Sequence, residues 1–261
     1  MVKPKKSLGQ NFLIDKNTIK KIINTVDIKN QNVIEIGPGT GNLTKEIVLR
    51  KPKSIVLIEK DKQLYFELMK LYEKNKNIKI INKDILDLNL ETLIKSKTTI
   101  FGNLPYNIST KIFTNLIKFK NWPPKYSTLI LMFQKEVADK IKANFNTSNY
   151  GRLSIISGYR LNIIKNFEIS NNCFFPKPKV KSTLIVFKPK NINNHLIKNL
   201  NNLEKITSAF FTAKRKMVNK VIKKIFYNNK KIDKLKIDGS FRPSQITPKQ
   251  FYLMTEIYEK N

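Results

Sequence analysis

The stretch Val33-Ile34-Glu35-Ile36-Gly37-Pro38-Gly39-Thr40-Gly41 joins a run of apolar residues to three glycines at alternate positions. A helical pattern, Leu43, Ile47 and Val48, follows directly. A strand, a glycine turn and a helix in this order are typical of cofactor sites in α/β folds, because glycine permits a sharp turn and a close approach of the backbone to a ligand. Taken alone, the glycine pattern also fits an ordinary strand–helix turn.

Two acidic residues stand at the ends of the next strand-like segments. Ile55-Val56-Leu57-Ile58 runs into Glu59, and a later apolar segment runs into Asn82-Lys83-Asp84. Ligands of open α/β sheets bind at the carboxyl ends of the strands, where a carboxylate can accept both hydroxyls of a ribose. We therefore predict a nucleoside cofactor next to Gly37 and Gly39, with Glu59 on its ribose and Asp84 on its adenine amine.

The spacing of the glycines, and the acidic residue that precedes them, distinguish two classes of cofactor. The glycines follow Gly-x-Gly-x-Gly, whereas nicotinamide sites typically have Gly-x-Gly-x-x-Gly. Glu35 stands just before the first glycine, where it would repel a pyrophosphate and attract a cationic amino acid group. The pattern favours S-adenosylmethionine over a dinucleotide.

Apolar runs alternate with amphipathic stretches over the first two-thirds of the chain. The predicted strands are 32–36, 54–58, 78–81, 99–101, 128–133, 163–167 and 183–187. Helical patterns such as Leu64, Leu68 and Leu71 lie between them. This alternation is typical of a doubly wound α/β fold, with a mostly parallel sheet and helices on both of its faces.

The composition changes after Lys188-Pro189-Lys190, where an Asn-rich segment begins. Helical patterns continue from there to Tyr258 without a strand-like segment. We therefore predict two domains. Residues 1–190 would form the cofactor-binding catalytic domain, and residues 191–261 a small all-α domain.

Composition excludes several classes of protein. The hydrophobic fraction of 41% and the aromatic fraction of 10% are typical of a folded globular chain. The longest apolar runs are too short to cross a bilayer, so we expect a cytoplasmic protein with no membrane partner. A single cysteine, Cys173, and a single histidine, His195, offer neither a disulfide nor a metal site. We expect both residues, and Trp122, to be structural or inert.

The formal charge of the chain is +31, from 50 Lys and Arg against 19 Asp and Glu. An excess of this size indicates a polyanionic partner, with nucleic acid as the leading candidate. The alternative is compositional bias, because the cations are mostly Lys and the chain is also rich in Asn and Ile, which share AT-rich codons. Compositional bias alone would allow Glu as readily as Lys, so we favour a functional basic surface.

The motif Asn103-Leu104-Pro105-Tyr106 follows the fourth predicted strand. It resembles the Asn/Asp-Pro-Pro-Tyr/Phe motif of enzymes that methylate exocyclic amino groups. An adenine amine is a poor nucleophile, because its lone pair is delocalised into the ring. Hydrogen bonds from the amine to the Asn103 side-chain carbonyl and the Leu104 backbone carbonyl would localise that pair. Tyr106 can stack on a flipped-out base, a contact worth roughly 1–3 kcal/mol. No strong general base is needed, because the methylated amine can lose its proton to water.

Further motifs occur in order along the chain. They are Lys5-Lys6-Ser7-Leu8-Gly9-Gln10-Asn11-Phe12-Leu13, Gln134-Lys135-Glu136-Val137, Tyr150-Gly151-Arg152-Leu153-Ser154, Phe174-Phe175-Pro176-Lys177-Pro178-Lys179-Val180-Lys181-Ser182 and Phe210-Phe211-Thr212-Ala213-Lys214-Arg215-Lys216. With these motifs the chain resembles the ribosomal RNA adenine N6,N6-dimethyltransferases of the KsgA/RsmA/Dim type, from about Lys5 to Lys188 and again at the basic segment. The resemblance implies a Rossmann-like class I methyltransferase fold with a seven-stranded sheet.

The resemblance also implies residue roles. Asn11, Leu13 and Asn103 match positions that contact the cofactor, so the amino-terminal segment would fold over the pocket. Phe174 would be a second aromatic residue that clamps the target base together with Tyr106. The smaller domain would bind RNA through a basic helix, matched here by Lys214, Arg215 and Lys216. The family often has two adjacent arginines at this helix, so phosphate contacts there would differ.

The function implied is dimethylation, with S-adenosylmethionine and without a metal, of two adjacent adenines near the 3′ end of 16S RNA. The partner would be an immature small ribosomal subunit, and the enzyme a monomer. One alternative is the related large-subunit enzyme of the macrolide-resistance type, although Gln134-Lys135-Glu136-Val137 and Tyr150-Gly151-Arg152 favour the first function. A non-catalytic RNA-binding assembly factor is the other alternative. The intact set Glu59, Asp84, Asn103 and Tyr106 argues against it.

Overall fold

A computed structural model describes residues 3–191, 197–227 and 232–260, and His195 lies outside these ranges. The strands within them are β1 (Phe12–Leu13), β2 (Asn32–Ile36), β3 (Ser54–Glu59), β4 (Ile78–Asn82), β5 (Thr98–Asn103), β6 (Tyr126–Gln134), β7 (Leu161–Ile169), β8 (Phe174–Phe175) and β9 (Ser182–Pro189). The α-helices are α1 (Lys16–Ile23), α2 (Asn42–Leu49), α3 (Lys62–Tyr72), α4 (Leu90–Leu93), α5 (Ser109–Ile117), α6 (Lys135–Lys142), α7 (Arg152–Arg160), α8 (Leu200–Phe211), α9 (Asn219–Ile225) and α10 (Pro248–Glu259). Short 3-10 helices lie at Lys6–Leu8, Ile85–Asp87, Asn171–Cys173, Asp233–Leu235 and Pro243–Gln245.

Seven of the described strands form one sheet, in the order β4-β3-β2-β5-β6-β9-β7. The pairs β2/β3, β2/β5, β3/β4 and β5/β6 are parallel, whereas β9 is antiparallel to β6. The predicted fold class, a Rossmann-like α/β fold followed by a helical region, is therefore confirmed. The strand order reverses at β2, which has β3 on one side and β5 on the other. Ligands of open α/β sheets bind at such a reversal.

The register of the sheet brings the predicted site residues to one edge. Ile36, the last residue of β2, lies opposite Ile58 in β3 and Gly102 in β5. Because parallel strands in register end at the same level, Glu59 and Asn103, the last residues of β3 and β5, lie beside the glycine turn that follows β2. The central strands are buried along most of their length, which explains their almost continuous apolar sequence.

Helix α3 shows where the helical pattern needs correction. Leu64 and Leu68 are buried as predicted, but Leu71 is half-exposed and Tyr72 is buried instead. Residues four apart on a helix drift by about 40° around its axis, so the buried line continues from Leu68 to Tyr72 rather than to Leu71. The helix begins where the Asp61 side chain accepts a hydrogen bond from the backbone N–H of Gln63.

Two parts of the β-structure differ from the sequence prediction. Strand β7, predicted at 163–167, is longer and lies at the edge of the sheet, where Ile163 and Ile164 are exposed. The short strands β1 and β8 form an antiparallel pair, with Phe12 opposite Phe175 and Leu13 opposite Phe174. The sequence prediction contained neither, because a two-residue pairing has no periodicity to detect.

The chain divides into two compact units. The first, Met1–Ala138 with Asn162–Pro189, contains the sheet. Its core includes buried residues from β2, β3, β5, β6 and β9 and from helices α1 to α3. Cys173 is packed against this core.

The second unit is Asp139–Leu161 with Lys190–Asn261. It differs from the predicted domain 191–261, because 139–161 belong to it as well. Helix α7 packs against α8 and α10, and the Tyr252 hydroxyl on α10 donates to the Ile155 carbonyl on α7 at 3.0 Å. An amphipathic pattern shows that a helix face is buried but not which element covers it. The sequence therefore assigned α7 to the first domain.

Candidate active site

A cavity lies at the carboxyl ends of β2, β3 and β5, where the strand order reverses. The glycine turn, the ends of β3 and β5 and the amino-terminal segment around β1 form its wall. Nine of the predicted site residues line it: Asn11, Leu13, Gly37, Gly39, Glu59, Asp84, Asn103, Leu104 and Tyr106. The structure thus brings the predicted cofactor residues and the Asn103 motif together in one site.

The turn after β2 requires glycine for two physical reasons. Gly37, Gly39 and Gly41 all have positive φ, of 67°, 58° and 76°, a conformation that strains residues with a side chain. A Cβ on Gly39 would also lie 2.8 Å from the ring of Phe12. The turn therefore holds the amino-terminal segment at close range and exposes backbone to the cavity.

The carboxylate of Glu59 is buried next to this turn. One of its oxygens accepts the backbone N–H of Gly39 at 3.1 Å, and the other accepts that of Asp61 at 2.8 Å. Burial raises the pKa of Glu59, although these N–H bonds oppose the change. Each carboxylate oxygen keeps a second lone pair, so Glu59 can accept the two hydroxyls of a ribose without breaking either bond.

Glu35 is the second buried carboxylate in the cavity wall. The Thr44 hydroxyl on α2 donates to it at 2.6 Å, and its side chain has almost no contact with water. Burial raises the pKa of Glu35 to about 7, and the nearby charge of Glu59 contributes in the same direction. A neutral carboxyl at this position becomes charged most readily when a cation lies beside it.

Asp84 lies on another side of the cavity, where it caps the 3-10 helix Ile85–Asp87. Its carboxylate accepts hydrogen bonds from the ammonium of Lys60 at 2.7 Å and from the backbone N–H of Leu86 at 2.9 Å. Although burial opposes ionisation, the hydrogen bonds from Lys60 and Leu86 hold the pKa of Asp84 below its ordinary value. Asp84 is therefore an ionised acceptor, with lone pairs left for a ligand amine.

The Asn103 side chain is held by the amino-terminal segment. Its amide nitrogen donates to the backbone carbonyl of Asn11 at 2.8 Å, so this contact fixes which end of the amide is the nitrogen. The carbonyl oxygen Oδ1 then points away from Asn11 and keeps its acceptor capacity. A second amide on this side, that of Asn42, donates to the Leu13 carbonyl at 2.9 Å.

Tyr106 is fixed by its hydroxyl, which lies 2.7 Å from the Ser182 hydroxyl. The side chain is partly buried, and this burial raises the pKa of Tyr106. The hydroxyl contact thus holds the ring in the cavity wall.

Phe174 is not among the residues that line the cavity, and its role as an aromatic clamp together with Tyr106 stays a prediction. Its side chain is 3% exposed and belongs to the hydrophobic core with Leu13, its partner in the β1/β8 pair. Side chains alternate across a strand, and it is the neighbouring Phe175 that is exposed, at 50%.

The predicted RNA-binding residues lie in the second unit. Lys214, Arg215 and Lys216 are exposed, in turns between α8 and α9 rather than in a basic helix. The ammonium of Lys214 donates to the backbone carbonyl of Ser148.

Sequence reasoning missed a cluster around Asp61, two residues after Glu59. The Asp61 carboxylate binds Lys5 and Gln10 from the amino-terminal segment. An Asp directly before a helix predicts only a helix cap, so the sequence contained little indication of this cluster. Only the fold shows that the amino-terminal segment reaches it.

In the described part of the chain there is no candidate for a metal site or for a membrane-spanning helix. Its His, Cys, Asp and Glu side chains form no group of three that could hold a metal ion. The described helices also lack the combined length and apolarity that crossing a membrane requires.

Comparisons with known proteins show the family of this chain. A sequence profile of the family described as ribosomal RNA adenine dimethylase matches residues 1–260. The ribosomal RNA small subunit methyltransferase A of Pelagibacter ubique is 46% identical over 259 residues, covering 99% of this chain and 98% of the relative. The protein of the same name from Mesomycoplasma hyopneumoniae is 39% identical over 263 residues, with coverages of 99% and 97%.

Solved structures show the same fold. A dimethyladenosine transferase from Plasmodium falciparum superposes with a TM-score of 0.75 and 26% identity, covering 95% of this chain and 98% of that one. The 23S rRNA methyltransferase ErmE superposes with a TM-score of 0.70 over 95% of this chain and all of its own, but at 21% identity it supports the fold alone. The profile match and the identity to the curated relatives show that the chain belongs to the ribosomal RNA adenine dimethylase family.

Proposed function

We propose that this chain transfers methyl groups from S-adenosylmethionine to the exocyclic amines of two adjacent adenines near the 3′ end of 16S ribosomal RNA. The observation that carries the proposal is a single cavity in which the glycine turn, Glu59 and Asp84 lie together with Asn103 and Tyr106. Membership of the family adds the substrate class, since two relatives are named as small-subunit methyltransferases.

The donor side of the cavity suits S-adenosylmethionine in its hydrogen-bond acceptors and its charge. Glu59 offers two acceptor oxygens to the ribose hydroxyls, and Asp84 offers an ionised acceptor to the adenine amine. Glu35 offers a carboxylate for the ammonium of the methionine part. When bound, the donor supplies an electrophilic methyl carbon. The protein's part is to hold that carbon in line with the target nitrogen.

The acceptor side positions the adenine amine. Asn103 Oδ1, together with the Leu104 backbone carbonyl, would accept the two amine hydrogens and so localise the nitrogen lone pair toward the methyl group. Tyr106 would stack on the flipped-out base. After one transfer a single amine hydrogen remains, so the second transfer has one hydrogen bond fewer and depends more on stacking. The proton released at each step passes to water.

RNA binding is assigned to the basic surface. A formal charge of +31 favours phosphate contacts over much of the chain, and Arg215 and Lys216 are exposed for such contacts. We further propose that the enzyme acts as a monomer on an immature small subunit, in the cytoplasm where subunits assemble. Base-specific contacts would be confined to the cavity.

The two alternatives have less support. The similarity to the large-subunit enzyme ErmE, at 21% identity, extends to the fold only, whereas the curated relatives at 46% and 39% carry the small-subunit name. A non-catalytic assembly factor would have no use for Asn103 and the carboxylates in one cavity.

Methyl transfer to isolated subunits tests the proposal. The protein is incubated with radiolabelled S-adenosylmethionine and with small or large subunits from cells that lack this modification. We expect label in the small subunit only, recovered as N6,N6-dimethyladenosine after digestion. Label in the large subunit would favour the resistance-type alternative. Binding without any label would favour the assembly factor.

A further inference from the structure

The amino-terminal strap, residues 5–13, covers one side of the cavity. Residues 7–13 all line the cavity. The strap is compact, because Lys5 and Gln10 are joined by a hydrogen bond from the Lys5 N–H to the Gln10 side-chain carbonyl at 2.7 Å. Its far end is secured by the β1/β8 pair and by the bond from Asn42 to Leu13. Its near end depends on different contacts.

Those contacts converge on one carboxylate, that of Asp61. The ammonium of Lys5 lies 2.9 Å from each Asp61 oxygen, and the Gln10 amide donates to it at 3.1 Å. The Asp61 side chain is 1% exposed, whereas that of Lys5 is 45% exposed. Although burial opposes ionisation, the hydrogen bonds from Lys5 and Gln10 hold the pKa of Asp61 below its ordinary value. A helix cap needs one acceptor oxygen only, so capping does not account for the strap contacts.

The same strap touches the proposed acceptor of the target amine. The backbone carbonyl of Asn11, the residue after Gln10, accepts a hydrogen bond from the Asn103 side-chain amide at 2.8 Å. The direction in which Asn103 presents Oδ1 therefore depends on where the strap places the Asn11 carbonyl. Gln10, bound to Asp61, is adjacent in the chain to the residue that sets this direction.

We propose that Lys5 and Gln10 are positioning residues, which clamp the strap on Asp61 and thereby hold the Asn11 carbonyl against Asn103. This inference rests on the proposed function, because it assigns Asn103 Oδ1 to the target amine. Opening the clamp has two consequences. The donor can leave past the strap, and the Asn103 amide loses the partner that orients it. The clamp thus links donor retention to the geometry of methyl transfer.

The test uses Lys5→Met, which keeps the apolar stem, and Gln10→Ala, alone and together. Two quantities are measured: the release rate of labelled S-adenosylmethionine, and the single-turnover rate on unmethylated small subunits at saturating donor. We expect the double variant to release the donor about tenfold faster and to transfer about tenfold more slowly, because it leaves a buried carboxylate without its charged partner. Lys5→Arg, which can bind both Asp61 oxygens, should restore both rates.

Lys260→Met is the matched control, since Lys260 is similarly exposed, is paired with Glu256 and lies in the second unit. It removes the same charge and should leave both rates unchanged. Faster release with a wild-type transfer rate at saturating donor would overturn the positioning role, as would no change in either rate. A wild-type protein that methylates no subunit would instead contradict the proposed function itself.

Discussion

At the scale of single residues, neighbours decide the charge of each carboxylate around the cavity. Glu35 and Glu59 are buried, which raises their pKa values, whereas Asp61 and Asp84 each bind a lysine that keeps their pKa values low. The sequence indicated which acidic residues stand at the strand ends. It could not indicate their protonation, because the partners Lys5, Lys60 and Thr44 come from other elements.

Glu35 leads to a prediction about pH. Its pKa of about 7 in the ligand-free protein should fall when a cationic donor lies beside it, so donor binding below that pH must release a proton. Donor affinity should therefore rise by up to about tenfold per pH unit as the pH approaches 7, and level off above it. Calorimetry near pH 6 in buffers of different ionisation enthalpy measures the proton release directly. Glu35→Gln should abolish it, and a wild-type protein that releases no proton would refute this role.

Phe174 leads to a second prediction, which separates a role in packing the core from a role in stacking on the target base. Because its ring is buried in the core, Phe174→Ala should cost about 3–5 kcal/mol of stability, and any loss of activity would then be uninformative. Phe174→Leu keeps most of the apolar contact. We expect it to form N6,N6-dimethyladenosine without accumulating the monomethyl product, as judged by mass spectrometry of digested RNA. Accumulation of the monomethyl form would instead support the predicted clamp of Phe174 and Tyr106 on the target base.

At the scale of elements, strong periodicity predicted most of the sheet. Each of the seven predicted strands has a counterpart within a few residues. The parallel strands β2, β3, β5 and β6 were predictable because buried parallel strands read as nearly continuous apolar runs. The short pair β1 and β8 has no such pattern, and it is this pair that places the amino-terminal strap at the cavity. The packing of α7 against α8 and α10 could not be predicted either, because an amphipathic helix face does not specify its partner.

The glycine turn gives a prediction at this scale. Gly39→Ala would bring a methyl group into the ring of Phe12 and place alanine at a φ of 58°. We expect donor affinity to fall by about tenfold or more, because the strap and the turn can no longer approach each other. Gly158→Ala in α7, whose added Cβ would meet only the Tyr252 hydroxyl at 3.7 Å, is the control and should bind normally. Equal donor affinities in the two variants would rule out close packing at the turn.

At the scale of the whole molecule, the positive charge is the property most open to two explanations. If it serves RNA binding, log affinity for small-subunit RNA should fall linearly with log salt, by about a hundredfold or more between roughly 50 and 200 mM. Filter binding over this range measures the slope. A nearly flat line would mean that the excess of lysine reflects composition rather than function.

The proposed activity is dimethylation of two adjacent adenines of 16S RNA by this chain, with Asn103 positioning the target amine in the cavity. Its most direct test is to express the wild-type chain and Asn103→Ala in bacterial cells that lack the modification, and to sequence the 3′ fragment of 16S RNA by mass spectrometry. We expect two neighbouring N6,N6-dimethyladenosines with the wild type. With Asn103→Ala we expect unmodified adenines at both positions, in a protein that remains folded. Dimethylation by the variant would contradict the role of Asn103, and its absence with the wild type would contradict the proposed activity.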